Sequence, residues 1–202
     1  MSADQESKFS PPITLGREKL GVKEALQDHS RTSFMRCLQC RSCSSSCPFY
    51  SAMDLGPHRV IRLLQLGQFQ RAMESTTIWV CVGCDTCASN CPMAIEISSV
   101  MDVLRQYALD AGVTISMPEI LNLHNEILGS IKRYGRTHKL EIMLRYKVKK
   151  RAWLEDMNVG LKMLSKRKLH LLPSKVQAES EIQEMFRTAR PVSWPRENDY
   201  EE

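Results

Sequence analysis

The chain has 202 residues, a formal charge of +5 from 28 Lys and Arg against 23 Asp and Glu, and 43 % apolar residues. That apolar content supports a core of ordinary size in one or two domains and excludes a disordered chain, while the charge is too small by itself to mark a nucleic-acid binder. No apolar run reaches the roughly 20 residues that cross a bilayer, and the opening MSADQESKFSPPITLGREKLG has neither an apolar signal core nor a transit-peptide composition. The expectation is a cytoplasmic protein with a flexible segment at residues 1–16.

In chain order, the first helical pattern runs from about Arg17 to Asp28. Then come Cys37, Cys40, Cys43 and Cys47, followed by Pro48, and later Cys81, Cys84, Cys87 and Cys91, followed by Pro92. Adding 44 to each member of the first set gives the second, so the eight cysteines form a duplicated module. A helical stripe follows each: Val60, Leu63, Leu64 and Leu66 or Gly67 after the first, and Ile97, Val100, Met101, Leu104 and Ala108, stopped by Gly112, after the second. Pro48 and Pro92 read as the first residues of the helical turn leaving each loop. Residues 17–115 thus make one cysteine-bearing helical domain.

Residues 116–172 lack cysteine and stay helical. Ser116 to Glu119 has capping-box spacing, Ile120, Leu123, Ile127, Ile131 and Tyr134 form a stripe ending at Gly135, and a second pattern from Lys139 to Met157 carries Met143, Leu144, Val148 and Leu154. A shorter pattern covers Leu161 to Leu169. Between Ile131 and His170 thirteen Lys or Arg face only Glu141, Glu155 and Asp156, so this basic extension is a candidate for subunit contacts. Residues 173–202 hold one short helix, about Ala178 to Arg187, and an irregular tail. Alternating β-branched runs are scarce, and the fold class is mostly α.

Eight cysteines confined to residues 37–91 admit four readings. A disulfide scaffold suits a secreted mini-protein, and nothing here indicates export. Two zinc sites usually pair C-x2-C knuckles across a longer loop, and catalytic thiols need a base that no spacing indicates. The run C-x2-C-x2-C-x3-C-P is the bacterial two-cluster ferredoxin arrangement, in which the fourth cysteine ligates the other cluster. Carried onto this chain, Cys37, Cys40, Cys43 and Cys91 hold one [4Fe-4S] cluster, and Cys81, Cys84, Cys87 and Cys47 the other. Four thiolates leave no open iron for substrate, so no catalytic residue is expected and the function is electron relay. Arg36 and Arg41 beside the first loop and Asp85 in the second predict the higher potential at the first cluster. Phe34, Phe49, Tyr50 and Trp79 are either core fillers or shields of the clusters, and the five histidines, not clustered at ligand spacing, read as structural or surface.

SFMRCLQCRSCSSSCPFY and LGPHRVIRLLQLGQFQRAMESTTIWVCVGCDTCASNCPMAIEISSVMDVLRQYA together resemble the iron–sulfur electron-transfer subunit of heterodisulfide reductase and its bacterial Hdr-like homologues, over about residues 30–112. The segment YGRTHKLEIMLRYK resembles the next region of those proteins. The resemblance implies a helical two-[4Fe-4S] ferredoxin similar to the C-terminal half of the succinate dehydrogenase iron–sulfur subunit. It also implies two partners: a flavin and iron–sulfur subunit (HdrA-like) and a catalytic subunit (HdrB-like) acting on a disulfide or sulfur substrate. No Cys-Cys-Gly occurs here, so that chemistry belongs to a separate chain. The alternative is an adaptor whose clusters are mainly structural.

Overall fold

The computed structural model describes residues 20–150, 162–163, 165–166, 176 and 178–189. Among them every regular element is helical and no strand occurs, in agreement with the mostly α reading. The pattern from Leu161 to Leu169 and the stretch from 151 to 157 lie largely outside the described residues. The chain divides between Val113 and Thr114 into two compact units.

In the first unit, α1 (Leu20–Ser30) leads through a 3-10 turn at Phe34–Arg36 to α2 (Ser42–Ser45) and a second 3-10 turn at Tyr50–Ala52. There follow α3 (Pro57–Gln65), α4 (Phe69–Met73), α5 (Thr77–Val80), α6 (Thr86–Ser89) and α7 (Ile97–Asp110). The expected stripe on α7 is its core face: Ile97, Val100, Met101, Leu104 and Ala108 are all at most 3 % exposed, and α7 packs on α1, whose Val22 and Leu26 are buried. Each fully buried aliphatic side chain of this kind contributes roughly 1.5–3 kcal/mol. Gly112, at φ +64, ends the helix, and the Val113 N–H closes on the Ala108 carbonyl at 3.0 Å. Helix α3 starts with Pro57, buries Val60, Ile61, Leu63 and Leu64, and ends before Gly67, whose φ of +71 swings the chain into α4.

Asp54 fastens the first module to the second. Its carboxylate accepts from the backbone N–H of Thr76 (3.0 Å) and Thr77 (3.1 Å) and from the Thr77 hydroxyl (2.8 Å), covering donors at the start of α5. Partial burial works against ionisation, but the hydrogen bonds from Thr77, Thr76 and Leu55 outweigh it and hold the carboxyl below its ordinary 3.8. Because the folded-state pKa is depressed, the stabilisation is present above the unfolded value and disappears as pH falls through the folded one. Asp54→Ala is expected to cost about 1–2 kcal/mol at pH 7 by urea unfolding. The gap between variant and wild type should close below about pH 4; a constant gap down to pH 2 would show that the carboxylate charge plays no part.

In the second unit, α8 (Pro118–Tyr134) packs on both α9 (Lys139–Lys150) and α10 (Glu179–Thr188). Two expectations change here. The Ser116 capping box does not form: Met117 is the N-cap and makes no side-chain cap bond, while Pro118 supplies the pre-set φ of the first turn. The apolar stripes are also displaced. Among the described side chains of α9 Ile142 is buried, while Met143 and Leu144 are 48 % and 54 % exposed, and on α8 Glu126 and Ser130 are the buried residues. KLEIMLRYKVKK carries apolar residues at so many positions that several stripes fit its sequence, and the turn decides among them. Ser130 Oγ accepts the His138 N–H at 2.8 Å, and Glu141 pairs with Arg133 across the turn, which brings Ile142 inward.

Candidate iron–sulfur centres

The 44-residue repeat is written in the backbone as well as in the cysteines. Gln39 and Arg41 have φ of +58 and +65, and their counterparts Gly83 and Asp85 have +65 and +57. Left-handed conformation costs a non-glycine residue roughly 1–2 kcal/mol, and three of these four carry side chains. Such a residue followed by a right-handed turn points successive N–H groups into one concavity, the backbone nest that receives anionic groups, iron–sulfur clusters among them. Here α2 and α6 follow Arg41 and Asp85 directly. The contacts repeat too: Cys40 Sγ to Ser42 Oγ at 3.4 Å matches Cys84 Sγ to Thr86 Oγ1 at 3.4 Å. Pro48 and Pro92 are each the second residue of a turn, closed by Tyr50 N–H to Cys47 O (3.3 Å) and Ala94 N–H to Cys91 O (3.1 Å). Proline thus opens a turn here and not the first turn of an α-helix, because its fixed φ suits both positions.

The eight thiols divide between two cavities. Cys37, Cys40, Cys43 and Cys91 line the first, with Leu38 and Ile95; Cys47, Cys81, Cys84 and Cys87 line the second, with Val82 and Met101. Each cavity therefore takes three sulfurs from one module and the fourth from the other. Ile97, 3 % exposed, lines both. Among the described residues no group of three or more His, Cys, Asp or Glu is placed to hold a single metal ion. Tetrahedral zinc requires such a group, with sulfur at about 2.3 Å, whereas the thiolates of a cubane each hold a different iron at its corners. The donor set, four cysteines to each cavity, and the left-handed residues that precede α2 and α6 fit a [4Fe-4S] group at each cavity.

Residues 36–96, which include all eight cysteines, match the family model of the 4Fe-4S dicluster domain. The chain carries a 4Fe-4S dicluster domain. No curated protein matches the chain. The domain accounts for the first module, the second and the segment between them, and it supports electron transfer through iron–sulfur clusters.

Within the dicluster domain the thiols differ in their readiness to ionise. Burial pushes Cys43 and Cys81 up and Cys87 to about 11, while the Ser42 and Thr86 hydroxyls lower the exposed Cys40 and Cys84. Ligation needs thiolates, so loading either set expels protons, and the buried members resist until iron takes the proton's place. Charge on Cys43 reaches Cys87, and charge on Cys47 reaches Cys81, so the two modules lie within electrostatic range of each other.

Several supporting residues escaped the sequence reading. Gln65 Nε2 donates to the carbonyls of Phe34 (3.4 Å), Met35 (3.2 Å) and Cys37 (3.1 Å), tying the end of α3 to the turn ahead of Cys37. In the second module Arg105 performs that task, its guanidinium donating to the carbonyls of Ile78 and Cys81. Those carbonyls sit 44 residues after Phe34 and Cys37, but the donors do not keep the repeat, so the equivalence is invisible without coordinates. Arg105 is 14 % exposed in its side chain and also pairs with Asp102 at 2.6 Å. The polar residue at the edge of the α7 stripe was its only sequence signal. It is a cation near Cys81 that the expected order of potentials did not weigh, whereas Arg36, Arg41 and Asp85 are exposed and Asp85 receives the Ser98 hydroxyl.

His58 has a structural partner, Ser44 Oγ at 2.7 Å from Nδ1, and burial followed by the fields of Arg41 and Arg59 lowers its pKa. The backbone at Gly56 must stay bare, since a Cβ would stand 2.8 Å from both Ser44 Oγ and a Tyr50 ring carbon. Of the aromatics, Phe34 and Trp79 are core residues at 0 % and 2 % exposure, Phe49 lines the second cavity, and Tyr50 is exposed. Leu38 and Val82, 44 residues apart, overhang the two cavities while remaining 67 % and 60 % exposed.

Proposed function

We propose that this chain is an electron-transfer subunit that relays single electrons through two [4Fe-4S] clusters, one held by Cys37, Cys40, Cys43 and Cys91 and the other by Cys81, Cys84, Cys87 and Cys47. The reading is supported above all by the partition of the eight thiols between two cavities that share Ile97 as a wall. Bound clusters of this kind supply one-electron exchange and, with four thiolates each, no open coordination position. The chain's own residues supply the rest. The left-handed residues form backbone nests of the kind that receive anionic groups, Gln39 donates its side-chain amide to Cys37 Sγ at 3.3 Å, and Gln65 and Arg105 hold the turns ahead of Cys37 and Cys81.

The finer assignment is the iron–sulfur electron-transfer subunit of a heterodisulfide reductase-like complex. There it stands between an HdrA-like flavin and iron–sulfur subunit and an HdrB-like catalytic subunit acting on disulfide or sulfur substrates, with a fold like that of the succinate dehydrogenase iron–sulfur C-terminal half. No helix among the described residues is long and apolar enough to cross a membrane, which suits a subunit without a transmembrane segment. Anaerobically reconstituted protein should hold about eight iron and eight sulfide per chain. Dithionite should reduce both clusters reversibly, and HdrA- and HdrB-like partners should oxidise and reduce them during turnover. Clusters that keep one redox state throughout partner turnover would make the chain an adaptor and not a relay.

A further inference from the structure

The first unit is electrically lopsided. From Arg36 to Met73 it carries Arg36, Arg41, Arg59, Arg62 and Arg71 against the single acid Asp54, and from Glu74 to Val113 it carries Glu74, Asp85, Glu96, Asp102 and Asp110 against the single base Arg105. Asp54 is also committed to the start of α5. The arginines are gathered around an open groove of about 350 Å³ whose polar walls are Gln39, Arg41, His58, Arg59, Arg62 and Arg71, with no carboxylate among its lining residues. All four lining arginines are exposed and, among the described residues, none has a carboxylate in ion-pair range, although Arg62 donates to Gln65 Oε1 at 3.2 Å.

Two of the groove's walls are also walls of the first cysteine cavity: Arg41 and His58 line both. The basic groove therefore adjoins the cavity of Cys37, Cys40, Cys43 and Cys91 through Arg41 and His58. We propose that this groove is the docking surface for the acidic face of a redox protein, which seats its own centre against the first cysteine set. The proposal rests on the relay reading above. Four guanidinium groups without a described carboxylate partner around an open concavity steer and orient an anionic protein surface, and they do so at a groove that shares Arg41 and His58 with the first cavity. The acidic residues of the second module repel the same partner, which leaves the first set as the point of entry or exit. In the second unit Arg133 and Arg145 both pair with Glu141.

The test uses the cluster-loaded full chain and, as defined probes, an acidic [2Fe-2S] ferredoxin, a basic cytochrome c and a 20-base-pair DNA duplex. Binding of the oxidised ferredoxin, followed by calorimetry, should weaken about tenfold between low salt and 300 mM NaCl and about tenfold in Arg59→Glu/Arg62→Glu at low salt, with the salt dependence flattened in the variant. The same charge reversal at the exposed Lys162 and Lys166 should change affinity by less than about twofold. Stopped-flow reduction by the reduced ferredoxin should follow the same order. Equal affinity for cytochrome c, a larger loss from Lys162→Glu/Lys166→Glu, or an unaltered Arg59→Glu/Arg62→Glu would each overturn the proposal. So would duplex binding that is tighter than ferredoxin binding and lost in that variant, which would make the groove a nucleic-acid contact. Calorimetry needs no electron transfer, so clusters that resist dithionite would count against the relay and leave the docking result standing.

Discussion

Cys47→Ser is expected to strip the cluster whose other ligands are Cys81, Cys84 and Cys87 and to spare the one next to the mutated residue's own loop. The expectation runs against sequence distance: Cys47 lies four residues from Cys43 and 34 from Cys81. It follows from the cavity walls, where Cys47 stands with the second set and Cys91 with the first. A serine oxygen is a harder and weaker ligand to cluster iron than a thiolate, and a three-thiolate site with the half-buried Cys87, whose thiol resists ionisation up to about 11, has little hold on its metal. Iron should fall from about eight to about four per chain. The decisive readout is which thiols become reactive. Native alkylation with iodoacetamide followed by peptide mass spectrometry should label Cys81, Cys84 and Cys87 in the variant, with Cys37, Cys40, Cys43 and Cys91 still protected. Cys91→Ser should give the mirror pattern. Labelling of Cys37, Cys40 and Cys43 in Cys47→Ser would mean that each module closes on itself. Stability should fall as well, because exchanged ligands staple one module to the other and metal-binding free energy is folding free energy.

The centres were legible in the sequence to the extent that chemistry forces residue type and spacing. The stripe on α7 is buried where the periodicity put it, since no other period buries Ile97 through Ala108, and the cysteines at fixed intervals line two cavities, whereas Pro48 and Pro92 open turns and not α-helices. Residues that act through generic groups were not legible. Gln65 and Arg105 bind backbone carbonyls, a task open to any long donor reaching from the next helix, so their positions drift from the 44-residue repeat. The nest residues were half visible. Gly83 is the residue a left-handed position favours, yet Gln39, Arg41 and Asp85 adopt the same conformation without the usual sequence mark. In the second unit the stripe was misplaced on α9 because its many apolar positions allow competing faces, and the buried Ser130 near the end of α8, which accepts the His138 N–H, chose among them.

Arg105→Gln is expected to lower the reduction potential of the second cluster and leave that of the first in place. The guanidinium is nearly enclosed and donates to the carbonyl of Cys81, and its charge favours the thiolate form of that residue. A positive charge so placed stabilises the reduced, more negative state of a cluster ligated there. Set against the opposing charge of Asp102, it is worth about 1 kcal/mol at an effective dielectric near 20. For a one-electron couple that is roughly 40 mV. Glutamine is the informative substitution because Gln65 already makes the equivalent carbonyl bonds in the first module, so the turn keeps a donor while losing the charge. Asp102→Asn should shift the same potential upward by removing the partner that offsets Arg105. An EPR-monitored redox titration resolves the two clusters, and iron content and melting temperature report whether the turn has survived. If Arg105 were only a structural tie, both variants would change stability without opposite shifts in potential. With the charge acting as argued, Arg105 counters the carboxylate of Asp85 in the same loop. The gap between the clusters is then smaller than Arg36, Arg41 and Asp85 alone predict, which is the condition under which an electron passes along two centres in either direction.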